Sequence, residues 1–298
     1  MKLSVVVATL NDRERLLVAL DALSAQLDRA DEVIVVNGPS TDGTTGAVRE
    51  RSDVDVLVEI SDRRGSVARN AGIEVATGDA IAFLSASLPV QDGWYDAATT
   101  VLAAGTDVVT GPVKRQGAAG EETEPVRVAG RTITHYSRGN VVFDREVIDT
   151  LDGFDENLSR SSTVDAAHRV AANDFQITWS GDMAVAALQA ADRPPSSTLG
   201  EEYRSISYRL AKNYGPRPTV FARTVGRALA DGVSEVRGLT SGDRAPTEWF
   251  GNGVTVLRNT FGGLKDGLIA RYRDRSAARN PSGVSSRQDR AVQVYDWR

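Results

Sequence analysis

Apolar residues along the first part of the chain alternate between two periods. Leu3 to Leu10 (LSVVVATL) is an apolar run of strand length, and Leu16, Leu20, Leu23 and Leu27 then recur at helical spacing. Asp31 to Asn37 (DEVIVVN) predicts a second strand, which enters the turn-rich Gly38–Thr44 and a helix through Ala47 to Arg51. VDVLVEI, ending at Ile60, predicts a third strand. GSVARNAGIEVATG follows, with Val67, Ala71 and Val75 at helical spacing and Gly78 as its stop. Ala80 to Leu84 predicts a fourth strand. This alternation implies a mostly parallel sheet flanked by helices. Ligands of such sheets sit at the carboxyl ends of the strands. Ala8–Asn11, Asn37–Ser40 and Ser85–Ser87 are therefore expected to converge on one cleft.

The pattern then becomes mixed. Gly93 to Gly105 predicts a helix, TDVVTGPVKR a strand, and GNVVFDREVIDTLDGFDENL a strand, a short helix and a turn. TVDAAHRVAAND predicts another helix, and FQITWS a strand. Residues 203–275 read as a helical extension, and residues 276–298, rich in Arg, Ser and Gly, as a flexible tail. The expected organisation is thus an α/β domain over 1–202, a basic helical extension over 203–275 and the tail.

Charge sharpens that division. The net charge is −5, yet residues 203–298 carry 17 Lys and Arg against 8 Asp and Glu. A basic end on an acidic body points to an anionic partner. Glu248 to Arg275 combines Trp249, Phe250, Leu257, Phe261, Leu264 and Leu268 with Arg258, Lys265, Arg271 and Arg273, much of it at helical spacing. Such a helix can lie on an anionic membrane surface or pack over the rest of the chain. No nucleic-acid recognition motif accompanies the charge, so nucleic acid is not the expected partner. With 298 residues, no apolar run of spanning length and no cysteine, the chain excludes a membrane-spanning helix, disulfides and thiol chemistry.

No glycine fingerprint follows the first strand and no Gly-Lys-Ser loop is present, which excludes the common dinucleotide and P-loop sites. A Gly-x-Ser-x-Gly elbow is also missing, and of the two histidines His168 falls in a helix beside Arg169, where a surface role is expected. Arg63, Arg64 and Arg69 cluster at the start of the third helix, a favourable place for phosphate.

Four segments in order, VVVATLNDRERL, VIVVNGPSTDGT, RRGSVARNAGIEVATGDAIAFL and GNVVFDREVIDTLDGFDENL, give the chain a family likeness from about Leu3 to Ala187. It resembles the family-2 inverting glycosyltransferases with the GT-A fold. The resemblance implies a nucleotide diphosphate sugar as donor. It places Thr9, Asn11 and Arg13 beside the nucleotide, Asn37 where the family has an Asp that receives the base, and Arg69 near the base or the diphosphate. Ser85 and Ser87 fall where the family carries Asp-x-Asp, whose carboxylates hold Mg²⁺ or Mn²⁺. Two neutral hydroxyls bind such an ion far more weakly, so no residue is assigned to metal.

Anchored on Arg169, Ser162 and Thr163 take the place of the Glu-Asp pair that supplies the catalytic base. Asp165 is the acid that is left, two residues on and turned by about 200° around a helix, with Asp92 an alternative. Arg63, Arg64, Arg69 or Arg160 would then neutralise the leaving diphosphate. Two readings follow from the resemblance. One is transfer of a hexose or hexuronic acid to a lipid-phosphate-linked or surface-glycan intermediate, as in protein glycosylation, by a cytoplasmic protein peripheral to the membrane's cytoplasmic face. The other is a non-catalytic paralogue that binds a sugar nucleotide or partners an active transferase.

Overall fold

The computed structural model describes residues 1–28, 31–115, 120, 122, 124–159, 161–188, 199–219, 222, 226, 246–276 and 278–298. The predicted alternation is present: β1 (Leu3–Thr9), α1 (Arg13–Ser24), β2 (Glu32–Asn37), α2 (Thr44–Arg49), β3 (Val56–Ile60), α3 (Gly65–Val75) and β4 (Ala80–Ser85). There follow α4 (Trp94–Ala103), β5 (Val108–Thr110), β6 (Val113–Lys114), β7 (Val126–Val128), β8 (Arg131–Ile133), β9 (Asn140–Asp144), α5 (Arg145–Thr150), α6 (Ser162–Val170), β10 (Ile177–Trp179) and β11 (Val185–Ala186). The chain ends with α7 (Leu199–Tyr214), α8 (Pro246–Arg273) and β12 (Ala291–Asp296). The single strand expected over TDVVTGPVKR breaks into β5 and β6 at Gly111-Pro112, because proline cannot donate to a ladder.

Eight strands form one sheet in the order β10-β5-β9-β4-β1-β2-β3-β12. β3, β2, β1 and β4 run parallel, and β9 is antiparallel to both β4 and β5. Successive β1 residues feed opposite layers. Leu3, Val5 and Val7 pack with Leu16 and Leu20 of α1 and Trp94 of α4, whereas Val6 packs with Val67 and Ala71 of α3 and Phe154. Both faces are therefore covered, which explains why these strands read as continuous apolar runs.

The chain divides into two compact units. One comprises Met1–Arg127, Arg131–Ala191 and Ser282–Arg298, and the other Val128–Gly130 and Asp192–Pro281. The composition of 276–298 predicts a flexible tail, but Ala291–Asp296 instead pairs antiparallel with β3 and closes that edge of the sheet. Its polar residues conceal a strand because an edge strand needs little apolar surface. Ion pairs hold the returning segment. Arg290, wholly buried, meets Glu156 and Glu74, and Arg287 meets Glu156 at 3.0 Å. In the second unit α7 and α8 pack against each other. No helix among the described residues is long and apolar enough to cross a membrane.

One buried carboxylate joins the amino end of the sheet. Glu32, at the start of β2, accepts from Ser4 Oγ at 2.5 Å, Thr77 N at 2.6 Å and Arg298 at 3.0 Å. Burial alone would raise its pKa. The bonds from Ser4, Thr77 and Arg298 outweigh that and hold it at about 2, below its ordinary 4.5. A carboxylate held low contributes stability that is fully present above 4.5 and is lost as pH falls toward 2. Glu32→Gln is therefore expected to lower the melting temperature at pH 7 and to flatten its decline between pH 4.5 and 2. Thermal unfolding followed by circular dichroism across that range checks both.

Candidate active site

The strand register sets the site. Thr9 lies beside Asn37, and Ala8 beside Ser85, so the three predicted strand ends meet at one end of the sheet. The first two loops are sewn together. Asn11, at a left-handed φ of 49° that Asn tolerates, accepts from Thr41 N at 2.8 Å and donates its own N–H to Ser40 Oγ at 2.9 Å. Ser40 Oγ donates to Asn37 Oδ1 at 2.7 Å, and Asn37 Nδ2 donates to Thr45 Oγ1 at 3.0 Å. Asn37 is buried. Both ends of its amide thus already serve the loop, and each keeps capacity for one further bond. Arg13 N donates to Asp42 at 2.9 Å, while its side chain is exposed. Thr9 Oγ1 is buried and makes no hydrogen bond among the described residues.

Arg69 crosses from α3 to the third strand end. Its guanidinium donates to the carbonyls of Gly65 and Arg138, both at 3.2 Å, and lies over Phe154. Desolvation, together with the nearby Arg138, pulls its pKa down to about 10, which keeps it cationic at neutral pH. Arg64 is occupied elsewhere, in a pair with Asp62 and a bond to Glu156 O at 2.7 Å. Arg63 is exposed, and Arg160 lies outside the described residues.

Ser85 and Ser87 line a cavity of about 610 Å³, within the range of about 300–1,000 Å³ usual for small-molecule sites. Their hydroxyls lie 3.1 Å apart and bond to each other. Backbone contacts build the walls. Leu188 N donates to Ser87 O at 3.2 Å, Ala187 N to Lys114 O at 2.7 Å, and Ser85 N to Gly139 O at 3.2 Å. Gly139 is required here, since a Cβ would sit 2.8 Å from Ser85 Cβ. Three arginines that the sequence reading passed over, Arg15, Arg115 and Arg138, join Ser137 in the lining, and among the described residues no Asp or Glu does. Asp92 lines a second cavity of about 540 Å³, with Asp96, Asp182 and Lys114.

The donor set does not fit a divalent cation. Two mutually bonded hydroxyls replace the expected carboxylates, guanidinium groups surround them, and no cluster of three or more His, Cys, Asp or Glu is placed to hold an ion among the described residues.

The expected base requires a correction. Asp165 is fully buried and pairs with the equally buried Arg169, whose Nε lies 2.8 Å from Asp165 Oδ2. Arg169 donates onward to Leu151 O at 2.6 Å and Gly153 O at 2.9 Å. A carboxylate enclosed in that pair cannot reach an acceptor hydroxyl. Its work is to anchor the turn after α5. His168, expected at a helix surface, is likewise buried, its ring edge-on to His135.

Residues 4–154 match the family described as "Glycosyl transferase family 2". The glycosyltransferase AglE of Haloferax volcanii is 26% identical over 202 residues, which is 60% of this chain and 64% of that protein. The chain thus spans less than two thirds of the length of the curated relatives it matches. Among solved structures, S. aureus TarS 1-349 in complex with UDP-GlcNAc has a TM-score of 0.61 at 18% identity, covering 92% of each chain. The mannosyltransferase PcManGT from Pyrobaculum calidifontis, in complex with GDP-Man and Mn²⁺, has a TM-score of 0.56 at 19% identity, covering 91% of this chain and 85% of that one. At these identities the likeness is one of fold: a GT-A architecture.

Asp165→Asn should act on stability. Removing one partner of a buried ion pair costs about 3–5 kcal/mol, so a fall in melting temperature on the order of 10 °C is expected. Nucleotide affinity of the folded variant should stay near that of the parent, which calorimetry below the new melting temperature measures.

Proposed function

Because the chain belongs to glycosyl transferase family 2, we propose that it transfers a sugar from a nucleotide diphosphate sugar at the carboxyl ends of β1, β2 and β4. The observation that carries this reading is the cationic cavity at Ser85 and Ser87, set where three parallel strands end and lined, among the described residues, by three arginines and no carboxylate. In the reaction, the bond between the anomeric carbon and the diphosphate oxygen breaks, and its electron pair leaves with the nucleoside diphosphate. The acceptor hydroxyl bonds the anomeric carbon from the opposite face, and its proton passes to solvent. The stitched Asn11–Ser40–Asn37 loop is pre-organised to seat the nucleotide, since its polar groups are already held in place.

The donor sugar is a hexose or hexuronic acid, and the acceptor a lipid-phosphate-linked or surface-glycan intermediate at an anionic membrane face. Support for the membrane side comes from α8. Gly263 and Gly267 sit so close to α7 that a Cβ on either would lie 2.3 Å from the carbonyl of Arg204 or Tyr208. The small residues thus face the partner helix. Leu257, Phe261, Ile269 and Tyr272 are exposed, interleaved with exposed Arg258, Lys265 and Arg273. An outward face of large apolar and cationic side chains suits an anionic lipid surface.

A second reading, a sugar-nucleotide-binding module without turnover, draws on the buried state of Asp165 and on a cavity lining whose described residues offer no carboxylate as base.

Incubation with a panel of nucleotide sugars and lipid extract should release nucleoside diphosphate. Nucleotide-dependent thermal stabilisation without release identifies the binding module, and no response to any nucleotide overturns both readings. In sedimentation with anionic vesicles the parent should pellet. Leu257→Asp with Phe261→Asp should lower its partition on the order of tenfold or more, because two exposed apolar side chains that would enter the lipid surface are lost.

A further inference from the structure

A sugar diphosphate brings negative charge into the site, and that charge needs a counterpart. The position that would hold a cation through two carboxylates carries Ser85 and Ser87, and the groups around it are guanidiniums. We infer that the cavity takes the donor's diphosphate directly on Arg15, Arg115 and Arg138, with hydroxyl donors from Ser85, Ser87 and Ser137 and without a divalent cation. This rests on the reading of the cavity as the nucleotide diphosphate site.

Two observations and two chemical arguments converge. Arg115 and Arg138 are exposed at the cavity and have no ion-pair partner among the described residues. Arg15 gives its Nε to Asp12 at 2.6 Å, and its terminal nitrogens make no bond among the described residues. The planar guanidinium fork matches two phosphate oxygens at once. A divalent cation placed among three such groups would be repelled by them, and nothing among the described residues of the lining would ligate it with charge.

The serines complete this exchange of roles. An ionised carboxylate only accepts hydrogen bonds, so at this position it repels a bare phosphate and needs a cation between the two. A hydroxyl donates. Ser85 and Ser87, bonded to each other at 3.1 Å, can turn one proton outward to a phosphate oxygen. Arg69 adds cationic character from behind, its guanidinium on the carbonyl of Arg138. Arg115 is brought to the cavity by the pairing of β6 with β11, and Arg138 by the turn that leads into β9. Neither arginine lies in the parallel half of the sheet, which is why the arginines named in the sequence as phosphate ligands were different ones.

The test is calorimetric titration of the full chain with UDP, GDP, ADP and dTDP in turn, each in EDTA and in excess MnCl₂. For whichever nucleotide binds, the affinity in EDTA should lie within about twofold of that in Mn²⁺. Arg115→Ala and Arg138→Ala should each weaken binding in EDTA on the order of tenfold, as expected for loss of a charge-assisted bond. Both side chains are exposed, so the variants should melt with the parent. Ser85→Asp with Ser87→Asp should weaken binding in EDTA and regain it with Mn²⁺. Binding by the parent that requires Mn²⁺ overturns the inference and leaves the proposed transferase standing. Unchanged affinity in both arginine variants also overturns it. Failure of every nucleotide to bind in either condition removes the nucleotide site itself, and with it the function proposed above.

Discussion

The parallel register of β1 with β2 and β4 is the constraint on which the site depends. Parallel pairing sends every outgoing loop to the same end of the sheet, so Thr9, Asn37 and Ser85 arrive together however different their sequences are. Both faces of those strands are buried, which leaves no freedom for a register slip that would exchange the two layers. The Asn11–Thr41 and Asn37–Thr45 bonds then tie one loop to the next.

Around this scaffold the charges are sorted by burial. Enclosed carboxylates have structural partners: Glu32 with Ser4 and Arg298, Glu156 with Arg287 and Arg290, and Asp165 with Arg169. Arg115 and Arg138, without carboxylate partners among the described residues, sit at the cavity instead. A buried acid needs compensation, and an arginine supplies it with hydrogen bonds as well as charge. The same residue types therefore serve as internal ties in one place and as a ligand surface in another. Accessibility separates the two uses.

The first half of the fold was legible in the sequence because its periodicities are long and undisturbed. Val5–Val7, Val33–Val36 and Ala80–Leu84 are uniform apolar runs between helices of clear spacing. The final strand was not legible. AVQVYD pairs with β3 at an edge, where one face stays wet and composition resembles that of a tail. Among the candidate residues, Ser85 and Ser87 were found by their position after a strand, and they do line a cavity. Asp165 was found as the nearest acid to an expected position. Helix geometry already turned it about 200° from that position, and only the packed structure shows that this direction is inward, toward Arg169.

By itself the sequence determined the layered α/β architecture, the strand ends that meet, and the pair of serines, Ser85 and Ser87, that follows the fourth strand. Those properties are local: an apolar period, a turn, the identity of a side chain. Tertiary structure decided which charges meet. Arg15 comes from the first helix, Arg115 from the residue after β6, and Arg138 from the turn before β9, three separate segments of the chain. Their common cavity exists because antiparallel β9 returns between β4 and β5 and because β11 docks on β6. Such pairings join segments distant in sequence, and no periodicity within either segment records them.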